Sequence, residues 1–246
     1  MSLRTVSVSL FVSLLLSCTF QPAITLDSLV AKHAQMRGGA AAIERIESVR
    51  LDIDIVEPRF AVRAKYVATR SGFARIDIYA DEQRVFTEVL TPDGGWQWAP
   101  GDGVSDLTED GRNALERARA GNLYGLHEMS KIGYQLSLIG SVTMDGKSYW
   151  ALNQKSPDGN LKRLYIDPKE WLVVREQEVN PLHPDIDPAE IEQETAYSQF
   201  VAHEGVLTAH RTEKRNRKTG DVIQTTTITK METNIDVNPA LFERPK

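Results

Sequence analysis

Apolar residues recur along this chain at two periods, and the change from one to the other divides it. In TLDSLVAKHAQMRGG, Leu26, Leu29, Val30, His33 and Ala34 fall at helical spacing, Thr25 or Asp27 can cap the start, and Gly38-Gly39 ends the run. AAAIERIESVR continues as a second short helix with Ala42, Ile43 and Ile46 as its stripe. The period then drops to two. LDIDIV alternates, RFAVRAKYVAT sets Phe60, Val62, Ala64, Tyr66 and Ala68 against Arg63, Lys65 and Thr69, and FARIDIYA sets Ile76 and Ile78 against Arg75 and Asp77. RVFTEVL runs to the turn TPDGG, and GWQWAP follows with Trp96 and Trp98 two apart, so a regular strand puts them on one side.

The segment LTEDGRNALERARAGNLYGLHEMSKIG interrupts the strands. It is helical in parts, with Leu115, Ala118 and Leu126 as apolar candidates and Gly111, Gly121 and Gly125 breaking it. Strands resume at YQLSLIGSVTMDGKSYWALNQ, with a hairpin turn at Asp145-Gly146, and continue through LKRLYID, WLVVREQE, TAYSQFVA, VLTAHRTEKRN and VIQTTTITKMET. Residues 181–192, within NPLHPDIDPAE and beyond, form a proline-rich acidic loop on this reading. Roughly ten strands joined by short turns favour one curled antiparallel sheet over a parallel α/β arrangement. Its apolar face must be covered or must close on itself, and the helical segments are available to cover it. The predicted fold is mainly β with helices: an unclosed antiparallel β-barrel, or half-barrel, with a helical lid. Alternation alone leaves open whether its interior is a packed core or a cavity.

The first residues change the picture of where the protein works. Arg4 is the last charge before Asp27, and VSVSLFVSLLLS between them is almost wholly apolar, a signal-peptide pattern. LLLSC holds the only cysteine, Cys18, and resembles the bacterial lipoprotein signal, with Leu15, Ser17 and then the cysteine. The expected organisation is a lipoprotein signal peptide over 1–17, a lipid on Cys18, and one domain over 18–246. Ordinary cleavage after Ala23 is the competing route, although Gln21 suits it poorly. Thr19, where an aspartate would resemble inner-membrane retention, points to an outer-membrane destination facing the periplasm. Removing residues 1–17 leaves 229 residues with 28 basic against 34 acidic side chains, a net charge of -6. An acidic chain of this kind is a poor match to nucleic acid, and without a second cysteine it has no disulfide.

LVAKHAQMRGGAAAIERIESVR, RLYIDPKEWLVVREQ, YSQFVAHEGVLTAHRTEKR and TNIDVNPALFERP together resemble the LolA/LolB-like periplasmic lipoprotein carriers and their lipid-binding relatives. Gly38 and Gly39 match the turn after the first helix, Asp167 and Pro168 a strand turn, and Asn238, Pro239 and Phe242 the closing tail. The resemblance implies an unclosed barrel whose helical lid encloses a greasy cavity for acyl chains, with lipid or an acylated lipoprotein as partner and an envelope protein as a further one. Phe60, Val62, Tyr66, Ile76, Ile78, Trp96 and Trp98 are then the candidate cavity wall. A lipid-bearing cysteine is like the receptor branch of that family, and the acidic loop departs from it.

Catalytic chemistry finds little purchase. His33, His127, His183, His203 and His210 are scattered, so no metal site and no cofactor is expected. His183 with Asp185 and Asp187 is the best local cluster and reads as a solvated acidic loop. No serine elbow or His-Glu-x-x-His motif occurs. The basic run RTEKRNRKTGD places Lys214, Arg215, Arg217 and Lys218 at a hairpin, either as a patch for anionic head groups or an acidic partner, or as a solvated turn. The expected protein is a non-enzymatic, membrane-tethered binder or transfer factor for lipids or lipoproteins. The alternatives are an assembly lipoprotein with a filled barrel acting through its surface, and a hydrolase, which would need a buried carboxylate-histidine pair.

Overall fold

The computed structural model describes residues 24–245. Cys18 and the expected signal peptide lie outside them. Thirteen strands form one antiparallel sheet: β1 (Ser48–Glu57), β2 (Phe60–Thr69), β3 (Ala74–Ala80), β4 (Gln83–Thr91), β5 (Gly94–Ala99), β6 (Gly103–Asp106), β7 (Gln135–Met144), β8 (Lys147–Lys155), β9 (Leu161–Ile166), β10 (Val173–His183), β11 (Asp187–His203), β12 (Val206–Asn216) and β13 (Val222–Thr233). The spatial order is β6-β5-β4-β3-β2-β1-β13-β12-β11-β10-β9-β8-β7, so the first and last strands pair in the middle while β6 and β7 are the free edges. The sheet is therefore an open half-barrel. Helix α3 (Glu109–Leu123) and a 3-10 helix (Leu126–Ile132) carry the chain from one free edge to the other.

Helix α1 (Leu26–Met36) starts on a reciprocal cap: Ser28 N donates to Thr25 Oγ1, and Thr25 N donates to Ser28 Oγ. Its buried stripe is Leu29, Val30, His33 and Ala34, and Ile43 is the buried residue of the short α2 (Ala40–Glu44). These helices and α3 cover the concave face in two adjoining cores. One gathers Ile43, Ile46, Val49, Leu51, Tyr66, Leu90, Leu115 and Leu123; the other gathers Leu29, Leu126, Met129, Leu152, Leu164 and Ile166. The convex face carries two smaller clusters, one around Val89, Trp96 and Phe242 and one around Tyr149, Ala151 and Tyr165.

The acidic segment expected to be a loop is instead a hairpin. β10 runs on to His183 and β11 begins at Asp187, with a register shift between Pro181 and His183. Proline cannot donate to the ladder, and an irregularity in register at that point is where a strand tolerates it.

Candidate functional site

Between the sheet and the helices lies a cavity of about 470 Å³, within the roughly 300–1,000 Å³ typical of small-ligand sites. Leu51, Ile53 and Ile55 of β1 form its floor, Leu115, Ala118 and Gly121 of α3 its roof, and Leu126, Met129 and Leu164 its far wall. Strand register explains the floor. Leu51 pairs with Tyr66, Tyr66 with Ile76, and Ile76 with Glu88, a row of same-face positions running across four strands.

One end of this apolar space is polar. Lys162, Glu176, Tyr197 and Thr212 line it. Lys162 Nζ lies 3.1 Å from Glu176 and 3.6 Å from Glu178, and Glu178 also accepts from Asn160 and Asn180. Burial alone would lower the Lys162 pKa, yet the two glutamates hold it above the ordinary lysine value. Burial beside Glu176 raises the Tyr197 phenol well above its usual value. Across the concave side, His183 Nε2 meets Glu57 Oε1 at 2.9 Å, and Gln224 Nε2 donates to the same oxygen at 2.9 Å. Since β1 and β10 are separated in the sheet by three strands, this contact draws the half-barrel inward at that end.

The tip of the β10–β11 hairpin reaches the start of α3. Thr108, the N-cap of α3, donates from its backbone N and its hydroxyl to Asp185, and its hydroxyl accepts from Gly111 N. Asp185 also faces Glu88 of the cavity lining. Burial, reinforced by Asp185, raises the Glu88 pKa to about 8, so at neutral pH Glu88 carries a proton.

The helices are tied to the sheet by two arginines. Arg70, at the end of β2, donates to the carbonyls of Ile43, Ile46 and Leu123 and to both oxygens of Glu128, at 2.6–3.1 Å. It thereby supplies a cation to the C-terminal ends of α2 and α3. Arg37 Nε donates to Leu207 O, while Leu207 N donates back to Arg37 O at 2.8 Å. Gly38 packs so closely there that a Cβ would fall 1.9 Å from Gly205 O, and its φ is +116°, so only glycine fits.

Of the residues picked from sequence, Tyr66 and Ile76 line the cavity. Val62 and Ile78 share their face, opposite Ile55 and Ala64 respectively, farther along the strands, and Phe60 is exposed where β2 begins. Trp96 and Trp98 are corrected. They pair with Val89 and Thr87 and lie on the convex face, where Trp96 Nε1 donates to Phe242 O at 3.0 Å. Asn238 caps the short 3-10 helix Pro239–Phe242 that docks there. The basic run is also divided. Arg215, Arg217 and Lys218 are exposed, with Arg217 and Lys218 paired to Glu192 and Arg215 to Glu213. Lys214 points to the concave side, in register with Thr195 and Gln224.

The histidines, scattered in sequence, are not all isolated in space. His203 and His210 bring their Nε2 atoms to 2.9 Å, and His210 Nδ1 donates to Ile228 O, so the two rings share one proton between them. His127 lies 3.6 Å from Glu44 and 3.9 Å from Glu128, the one group of metal-ligand type among the described residues, but Arg70 and Gly125 N already occupy the Glu128 oxygens. His183 turns to Glu57 while Asp185 turns to Thr108, so their local cluster disperses. Glu57 and His183 form a carboxylate-histidine pair, but the His183 side chain is 37% exposed, and among the described residues no hydroxyl or thiol hydrogen-bonds to it, so it is not the buried pair a hydrolase would need.

The architecture is an antiparallel half-barrel covered on its concave side by helices around a largely apolar chamber. This chain has the fold of the LolA/LolB-like lipoprotein-sorting superfamily. It is similar to a LolA superfamily protein from Nitrosomonas europaea at 14% identity, covering 90% of this chain and 99% of that one with a TM-score of 0.59. It is similar to a DUF1329 family protein from Desulfovibrio piger at 11% identity, covering 88% and 96% with a TM-score of 0.59. A domain described as an outer membrane lipoprotein-sorting protein from Vibrio parahaemolyticus matches at 12% identity, covering 86% and 95% with a TM-score of 0.57. No family model and no curated protein matches the sequence.

Proposed function

We propose that the protein is a non-enzymatic carrier or receptor that takes the acyl chain of a lipid or lipoprotein into its cavity, tethered by a lipid on Cys18 to the periplasmic face of the outer membrane. The observation that carries this reading is the largely apolar lining contributed jointly by β1, β2, β3 and α3. An acyl chain transferred there leaves water for a preformed apolar surface, a gain of about 0.8 kcal/mol per buried methylene. The fold shared with a lipoprotein-sorting domain supports the same reading, and no described helix is long and apolar enough to cross a membrane.

Native mass spectrometry of the protein purified from the envelope tests it. Lipid adducts lost on organic extraction and restored by added lipid are the expected result. A bare mass, together with no saturable uptake of a fluorescent fatty acid, would overturn the carrier reading. The tether is tested separately: Cys18→Ser moves the protein from the membrane to the soluble envelope fraction, and membrane association unchanged by that substitution refutes the anchor.

A further inference from the structure

Lys214 is an inner-face cation with no carboxylate within ion-pair distance among the described residues; Arg37, a cavity-lining cation also without one, instead donates to Leu207 O. The carboxylates around it are already engaged: Glu176 and Glu178 by Lys162, and Glu57 by His183 and Gln224. Thr195, its direct cross-strand partner, is 4% exposed, and Gln193, two residues before Thr195, is 0% exposed. Thr195 Oγ1 and Gln193 Oε1 both lack a hydrogen-bond partner. Buried polar groups left unmatched cost stability, and two of them on the sheet face that half-buried Lys214 shares mark a place where a polar ligand group would complete them. That spot adjoins the polar end of the cavity, since Thr212 and Tyr197, the next same-face residues on β12 and β11, line the chamber.

We propose that Lys214, Thr195 and Gln193 form a subsite for the oxyanion head, carboxylate or phosphate, of an amphipathic ligand whose acyl chain occupies the apolar cavity. This rests on the carrier reading and names the ligand class within it. The ammonium of Lys214 and the Thr195 hydroxyl donate to the anionic oxygens, while Gln193 Oε1 accepts from a hydroxyl of the head or from a water carried with it. Burial outweighs the neighbouring glutamates and lowers the Lys214 pKa below its ordinary value, so the site as it stands does not fully compensate that charge. An arriving anion would.

The test displaces a fluorescent fatty acid from the delipidated full chain with palmitate, hexadecyl phosphate and hexadecanol. Both acids should bind at least about tenfold more tightly than the alcohol, the scale of one charge-assisted hydrogen bond. Lys214→Met should abolish that advantage with hexadecanol affinity unchanged, and Lys214→Arg should keep it. In the unmodified protein the advantage should fade as pH rises through the lowered lysine pKa, a readout that needs no variant. Inorganic phosphate separates the sources: if it erodes the advantage of the acids, the subsite takes a free oxyanion, and if it has no effect, the head must arrive on its chain. Equal binding of acid and alcohol by the unmodified protein, or an advantage that survives Lys214→Met, overturns the subsite and leaves the carrier reading standing. Failure of all three ligands to displace or bind overturns both.

Discussion

Arg70 donates hydrogen bonds to two helix-end carbonyls, Ile43 and Leu123, to the Ile46 carbonyl beyond α2, and to Glu128, whose side chain is only 3% exposed. Removing one member of such a pair strands the other as a buried charge, which costs about 3–5 kcal/mol, whereas removing both costs much less. Arg70→Met is therefore expected to lower the urea midpoint strongly, and adding Glu128→Leu to recover part of the loss. Additive losses in the double variant would show that the pair is not coupled. Glu88 gives a pH signature of the opposite kind. Its folded pKa is raised, to about 8 from an ordinary 4.5, so the folded state is unpenalised below pH 4.5 and loses stability as pH rises toward 8. Glu88→Gln should match the unmodified protein at pH 4 and exceed it at pH 9, by at most about 5 kcal/mol. Thermal melts across that range that run parallel would refute the raised pKa.

At the level of elements, alternation in the sequence was enough to place most strands, because one face of each meets an apolar layer and the other meets water. It failed where the local rule and the tertiary setting part company. Pro181 and Pro188 read as loop, yet a register shift lets the hairpin extend and carry Asp185 to the cap of α3. Spacing put Trp96 and Trp98 on one side but carried no information on which side. Both faces of this part of the sheet are covered, one by α3 and one by the C-terminal segment through Phe242. Lys214 was hidden for a related reason: inside a run of basic residues, an inward position looks like one more surface charge. The unmatched oxygens that mark it, Thr195 Oγ1 and Gln193 Oε1, come from another strand. Trp96→Ala should destabilise the fold by about 3 kcal/mol through lost packing while leaving fatty-acid affinity unchanged at a temperature where it is native. Reduced affinity there would mean that the convex face communicates with the cavity.

Across the whole molecule, strand order makes the lid and the sheet one device. The chain reaches the free edge at β6, crosses the concave side through α3, and restarts at the opposite edge, so α3 bridges the gap that would otherwise be closed by strand pairing. A ligand entering at this gap would pass α3, and of the small residues lining the chamber on that helix Ala120 is buried while Ala118 and Gly121 are exposed. They form a rim of low side-chain bulk. A Cβ at Gly121 would meet nothing within 4 Å, so the first atom of a larger side chain enters open space there. Replacing a helical glycine with leucine also favours the helix by up to about 1 kcal/mol. Gly121→Leu is thus expected to hold or raise the melting temperature while its side chain obstructs the rim and reduces fatty-acid uptake severalfold. The pairing of those two outcomes separates this variant from polar substitutions in the floor, such as Ile53→Asn, where lost binding is confounded with lost stability. Uptake that proceeds at the unmodified rate and affinity in a stable Gly121→Leu protein would place the entrance elsewhere.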